Sequence, residues 1–166
     1  MTAQASIDPG EERKVVTFRI GKQVFGIDMK ALIEIREWEE PTPLPSVPHF
    51  IRGVTNMRGT VVPVIGLAER LGWAPSELHA RSCVIVVSIS GKQAGFLVDE
   101  VADIVAIQVG DIQPAPDVEI EEAGIIAGLV QVPDRARPGK AAGGPAMVLL
   151  LELEALNVTR HLDLAA

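Results

Sequence analysis

Short apolar runs, each closed by a turn signal, set the rhythm of this chain. Residues 15–20 (VVTFRI), the tripeptide Gly21-Lys22-Gln23 and residues 24–29 (VFGIDM) predict strand, turn, strand. Residues 31–38 (ALIEIREW) stay apolar enough for either a strand or one helical turn. Four prolines in residues 41–48 (PTPLPSVP) impose an extended loop. The runs GVTNM and TVVPVI flank Arg58-Gly59, a two-residue hairpin signal in which Gly59 can supply the positive φ the turn needs. LAERLG (67–72) predicts a short helix with Gly72 just past its end. CVIVVSI (83–89), a second Gly-Lys-Gln and AGFLVDEVADIVAI (94–107) repeat the opening theme. QPAPD (113–117) is a second proline loop. AGLVQV (127–132) and AMVLLLEL (146–153) read as strands around a Pro/Gly/Ala-rich loop at 133–145, and LEALNV (153–158) as a closing helical turn.

The chain contains an internal repeat. With a shift of 69, Gly26 falls on Gly95, Ile27 on Phe96, Leu32 on Val101, Glu34 on Asp103 and Ile35 on Ile104. Further on, IRGV (51–54) resembles IAGL (126–129), and VIGLAERL (64–71) resembles LLELEALN (150–157). Two copies of strand, turn, strand, proline loop, hairpin and helical turn predict two related small β-barrels in an all-β protein. Strands this short do not suit a parallel α/β sheet. Residues 1–13 read as a disordered lead and 159–166 as a tail. The first lobe is expected at about 14–81 and the second at about 82–158, with exchange of the ends between lobes left open. A groove between two such lobes is a natural place for a partner.

Composition narrows the function classes. The chain has 166 residues, 48% of them hydrophobic, enough to bury a core. Aromatic residues make up only 4%, with no tyrosine, and the net charge is −7, so a nucleic-acid backbone is a poor partner. The charge is uneven: residues 1–81 are neutral overall, and the whole excess lies in 82–166. Residues 99–122 hold eight acidic side chains and no basic one, which fits a solvated face or a surface for a basic partner. One cysteine, Cys83, excludes an internal disulfide and reads as a small buried apolar residue. The polar start has no signal-peptide core, and no apolar run reaches the length of a membrane span; a soluble, cytoplasmic protein without membrane insertion is expected.

The sequence offers no catalytic constellation. His49, His79 and His161 lack metal-ligand spacing, and Cys83 has no nearby partner. Ser82, Ser88 and Ser90 have no Gly-flanked nucleophile turn, and RPGKAAGG only superficially resembles a phosphate loop. Asp99 and Glu100 are adjacent, so on a strand they point to opposite faces. A non-enzyme without cofactor or metal is expected. What remains is surface: Arg58 at a hairpin tip, and Pro63 inside TVVPVI. Pro63 cannot donate to a ladder and predicts an edge position or an outward-facing nitrogen.

FGIDMKALIEIRE, FIRGVTNMRGTVVPVIGL, AGFLVDEVADIV and IQPAPD, in this order, resemble the CheW family of chemotaxis coupling proteins, over about Val15 to Val158. The most specific elements are RGVTNMRGTVVPVI and the pattern at 95–103. The resemblance implies two five-stranded SH3-like barrels around a shared groove. It also implies a non-catalytic adaptor that ties the cytoplasmic tips of chemoreceptors to the regulatory domain of the histidine kinase CheA in membrane-associated arrays. The family's turn arginine falls on Arg58 and its strand glutamate on Glu34, expected close together near the receptor site. Leu32, Cys83 and Ile104 would be apolar positions facing the inter-barrel groove, with Gly53 and Gly95 allowing close backbone approach. Kinase-contacting residues are not assigned. Two departures stand out: Gly66 where the family often has Asp, and the long loop 133–145 where a short Asp-Gly turn is common. An adaptor of a non-flagellar chemosensory pathway, and a groove-binding barrel protein or enzyme, are the competing readings.

Overall fold

Strand β1 (Glu12–Ile20) and strand β2 (Gln23–Asp28) form the first hairpin, turning at Gly21 with φ +61°. The computed structural model describes residues 10–114, 125–132 and 146–156. After β2 the chain passes through a 3₁₀ turn at Met29–Ala31, where Asp28 Oδ1 accepts the Lys30 N–H at 2.9 Å. Then come β3 (Leu32–Glu37), β4 (Ile51–Met57), β5 (Thr60–Gly66), the short helix α1 (Leu67–Arg70), β6 (Cys83–Ile89) and β7 (Lys92–Val98). The run 94–107 is not one strand: it bends at Asp99, and β8 (Glu100–Gln108) continues in the other sheet. β9 (Ile126–Val132), β10 (Ala146–Leu151) and a 3₁₀ turn at Leu153–Leu156 complete the described elements.

Two five-stranded sheets result, ordered β8-β1-β2-β10-β9 and β3-β6-β7-β5-β4. They are related by the sequence repeat, down to one parallel pair each, β10 with β2 and β5 with β7. A parallel neighbour requires a crossover, and the crossover exchanges the halves. The first two strands of each repeat pair with the last three of the other. The ends of the two lobes are thus exchanged across 81/82: one barrel holds residues 12–28, 100–108, 126–132 and 146–151, the other residues 32–98. Glu12 and Arg13, expected within the lead, belong to β1 and pair with Gln108 and Ile107. Residues 1–9, the loop 133–145 and the tail 159–166 lie outside the described residues.

Each sheet curls so that its two end strands meet at a seam. Thr42, just beyond β3, exchanges both backbone hydrogen bonds with Val54 of β4, at 2.9 and 2.8 Å. Gln113, beyond β8, does the same with Leu129 of β9, at 2.8 Å each way. The proline loops thus close the barrels. Pro63 does not mark an edge, which corrects that expectation: β5 lies between β7 and β4, and Pro63 is buried. Its pairing with Val54 asks for no N–H, since the Val54 backbone is engaged with Thr42, and the ladder to β7 begins only at Val64.

Three apolar clusters follow from the strand alternation. Between the sheets lie Val16, Phe18, Phe25, Ile65, Leu67, Ile85, Phe96 and Leu156. Val15, Ile107, Val130, Val132, Val148 and Leu150 fill one barrel; Met57, Val62, Val64, Val84 and Val86 fill the other. Each fully buried Phe, Ile, Leu or Val side chain contributes roughly 1.5–3 kcal/mol. The space between the barrels is thus mostly packed core, with apolar side chains left only at its rim.

Candidate functional site

The β4–β5 turn is built to hold an arginine outward. Both central residues lie in the left-handed region, Arg58 at φ +54° and Gly59 at φ +86°, as a type I′ turn demands. Asn56 Oδ1 accepts the Gly59 N–H at 2.9 Å and fixes the turn. A non-glycine residue there is strained, so the fold tolerates a cost to place a guanidinium at this tip. Arg58 Nη1 lies 2.8 Å from Glu34 Oε2, as expected of the two residues. The arginine side chain is 78% exposed and the glutamate 22%.

Register explains how Glu34 comes to face this tip. A bulge at Ile33 shifts β3, so that Leu32 pairs with Val87, Glu34 with Val86 and Arg36 with Val84. Paired residues share a face. Val84 and Val86 belong to the barrel interior, so Glu34, Arg36 and the following Trp38 line the inner side of the seam. The other side of the seam supplies Arg58 and, on β4, Arg52. Arg36 Nη1 lies 3.7 Å from Glu34 Oε1. The Arg52 guanidinium lies 5.6 Å from the Trp38 ring and donates to Glu69 Oε1 at 3.1 Å through Nη2. The equivalent stripe of the other barrel is Asp103, Val105 and Ile107, so among the described residues that strand face carries no arginine.

The other expected site residues divide. Leu32 and Cys83 pack against the cluster between the sheets. Ile104 pairs with Val16 of that cluster yet is 46% exposed, at the rim. Ile35, its counterpart in the repeat, is 42% exposed on β3. Gly53 and Gly95 do allow close approach, but to this chain itself. Gly53, at φ +149°, leaves room for the Thr42 carbonyl, and a Cβ on Gly95 would lie 2.7 Å from Val84 Cγ1. Both are buried and neither lines an open groove. Burial pushes the Cys83 thiol above its ordinary pKa, against a hydrogen bond to the Val101 backbone that lowers it, while the nearby Glu100 charge raises it further.

Sequence reasoning missed Arg36, Trp38, Arg52 and Glu69. The alternation Glu34-Arg36-Trp38 was a usable signal, because it puts three polar or amphipathic side chains on one strand face. Glu69 also accounts for the unusual Gly66. Its carboxylate fills the space that a Cβ on Gly66 would occupy, so the acidic group comes from the helix rather than from position 66. A separate open cleft of about 450 Å³ lies by the β1–β2 turn, where Arg19 and Arg81 flank Glu100 at 3.5 and 3.1 Å. Its charges neutralise one another. Among the described residues, no group of His, Cys, Asp and Glu could hold a metal ion, and no helix is long and apolar enough to cross a membrane.

A family model described as a CheW-like domain matches residues 14–159. A probable chemotaxis protein CheW of Rhizobium etli is 37% identical over 155 residues, covering 93% of this chain and 92% of that protein. The chemotaxis protein CheW of Rhizobium meliloti is 34% identical over 145 residues, covering 87% and 86%. The crystal structure of the scaffolding protein TtCheW from Thermoanaerobacter tengcongensis superposes with a TM-score of 0.76 at 28% identity, over 88% of this chain and 92% of the other.

Proposed function

This chain belongs to the CheW-like domain family, and on that premise we propose that it is a non-catalytic adaptor of chemotaxis signalling that couples chemoreceptors to the histidine kinase CheA. The arginine-laced seam is the receptor-facing element. The observation that carries this reading is the exposed Arg58 guanidinium, held 2.8 Å from Glu34 by a strained turn. A turn required only for the hairpin would be less strained with Asn or Gly at position 58. The exposed Val61 on β5, paired with Asn56 next to the tip, gives a helical receptor tip apolar area beside Arg58. Through these contacts the receptor would bring the adaptor from the cytoplasm to the membrane-associated array.

Reconstitution tests the reading. Adding the protein to receptor-containing membranes and CheA should raise receptor-dependent kinase autophosphorylation. The protein alone should neither bind nor hydrolyse ATP. ATP turnover by the purified chain, or kinase activity indifferent to its presence, would remove the adaptor reading.

A further inference from the structure

Glu34 is not paired with Arg58 alone. Its Oε2 faces Arg58 at 2.8 Å and its Oε1 faces Arg36 at 3.7 Å. The two arginines differ in freedom. Arg58 is 78% exposed on a hairpin tip; Arg36 is 35% exposed and rises from the same strand face as Glu34, two residues on. That spacing holds Arg36 beside Glu34 whatever the hairpin does, because residues i and i+2 of a strand share a face. Glu34 itself is 22% exposed, so a state with neither cation at hand would leave a partly desolvated charge at a cost.

We propose that Arg36 is a positioning residue for Glu34. It takes over the carboxylate when Arg58 turns outward to an acidic side chain of a partner. A partner carboxylate then competes for Arg58 without leaving Glu34 unpaired, and the seam stays shut. The other barrel has Val105 at the equivalent place and no such second cation on its strand. The hand-over is therefore a property of one barrel, the one that presents the strained arginine. The partner chemistry it fits is an acidic group on a rigid surface, matched by the forked donors of a guanidinium.

Two measurements test this. The first needs no partner: a crystal structure of the Arg58→Ala variant. Arg36 is expected to close on Glu34 to about 3.0 Å, the ordinary length of such a hydrogen bond. A Glu34 side chain turned into solvent, with Arg36 left where it stands, would overturn the hand-over. The second rests on the adaptor reading and uses a chemoreceptor signalling-tip fragment. Arg36→Gln should weaken its binding about tenfold, the scale of one charge-assisted hydrogen bond, and Arg36→Lys should restore most of it. In a Glu34→Gln background Arg36→Gln should have no further effect. An equal loss in that background would mean that Arg36 touches the partner directly, and unchanged binding in the single variant would mean that it positions nothing; either result overturns the proposal. If the unaltered protein does not bind the fragment while the Arg58→Ala structure shows the closure, the receptor reading fails and the hand-over stands.

Discussion

Thr42 and Val54 exchange both backbone hydrogen bonds across the seam of one barrel, and Gly53 makes the exchange possible. At φ +149°, with the Thr42 carbonyl where a side chain would begin, position 53 admits no Cβ without moving the loop. Gly53→Ala should therefore destabilise by roughly 2–4 kcal/mol, from strain plus the two lost bonds. Gly95→Ala, at an ordinary φ, meets the buried Val84 side chain rather than backbone and should cost less, about 1–2 kcal/mol. Denaturant melts of the two variants check the order; equal losses would place the weight on crowding in general rather than on the seam.

Arg58→Glu should leave the melting temperature nearly unchanged. The pair it breaks is exposed on the arginine side, and such pairs contribute about 0–1 kcal/mol. Receptor-fragment binding should fall sharply, because the reversed charge repels an acidic partner as well as Glu34. CheA binding measured without receptor should survive. Loss of folding in this variant, or receptor coupling left intact, would contradict the role given to the turn.

The exchange of an acidic group between positions 66 and 69 can be reversed. Gly66→Asp alone should destabilise by about 2 kcal/mol or more, because the new side chain meets the buried Glu69 carboxylate. Glu69→Ala alone should also destabilise, since it takes the carboxylate from Arg52. The double variant should recover much of the loss by giving Arg52 an acid at position 66. A thermodynamic cycle measures it; strictly additive losses would mean that the two positions do not share one space.

Cys83 is only half-buried, and it should be alkylated in the folded protein at neutral pH more slowly than an unfolded thiol because less of it is thiolate. Its raised pKa keeps the proton on the folded chain above the pH at which an unfolded thiol releases it. The unfolded state then binds fewer protons, so stability falls as pH rises through the thiol's ordinary range. Replacing Cys83 by Ala should flatten that alkaline slope. Labelling under native conditions as fast as in the unfolded chain would contradict the raised pKa.

Much of this protein was legible in its sequence. Strand positions followed from period-two alternation and from turn residues, since β structure fixes side-chain direction locally. The Arg58-Gly59 hairpin followed from turn chemistry, and the two barrels from the shift of 69 that sets Glu34 on Asp103. The closeness of Arg58 and Glu34 came from family resemblance rather than from spacing.

Tertiary structure alone decided which strand pairs with which. The sequence runs β2 into β3 and β7 into β8, yet each passage crosses to the other sheet. Local alternation is the same for a strand that stays and one that leaves, because both bury one face. What chooses is the parallel pairing of β5 with β7 and β10 with β2, a long-range contact that no local pattern encodes. The same pairing moved Pro63 from an expected edge to the interior. The bulge at Ile33, which turns Glu34, Arg36 and Trp38 toward the seam, likewise depends on the partner strand β6. Side-chain spacing says which residues share a face; only the closed barrel says what that face meets.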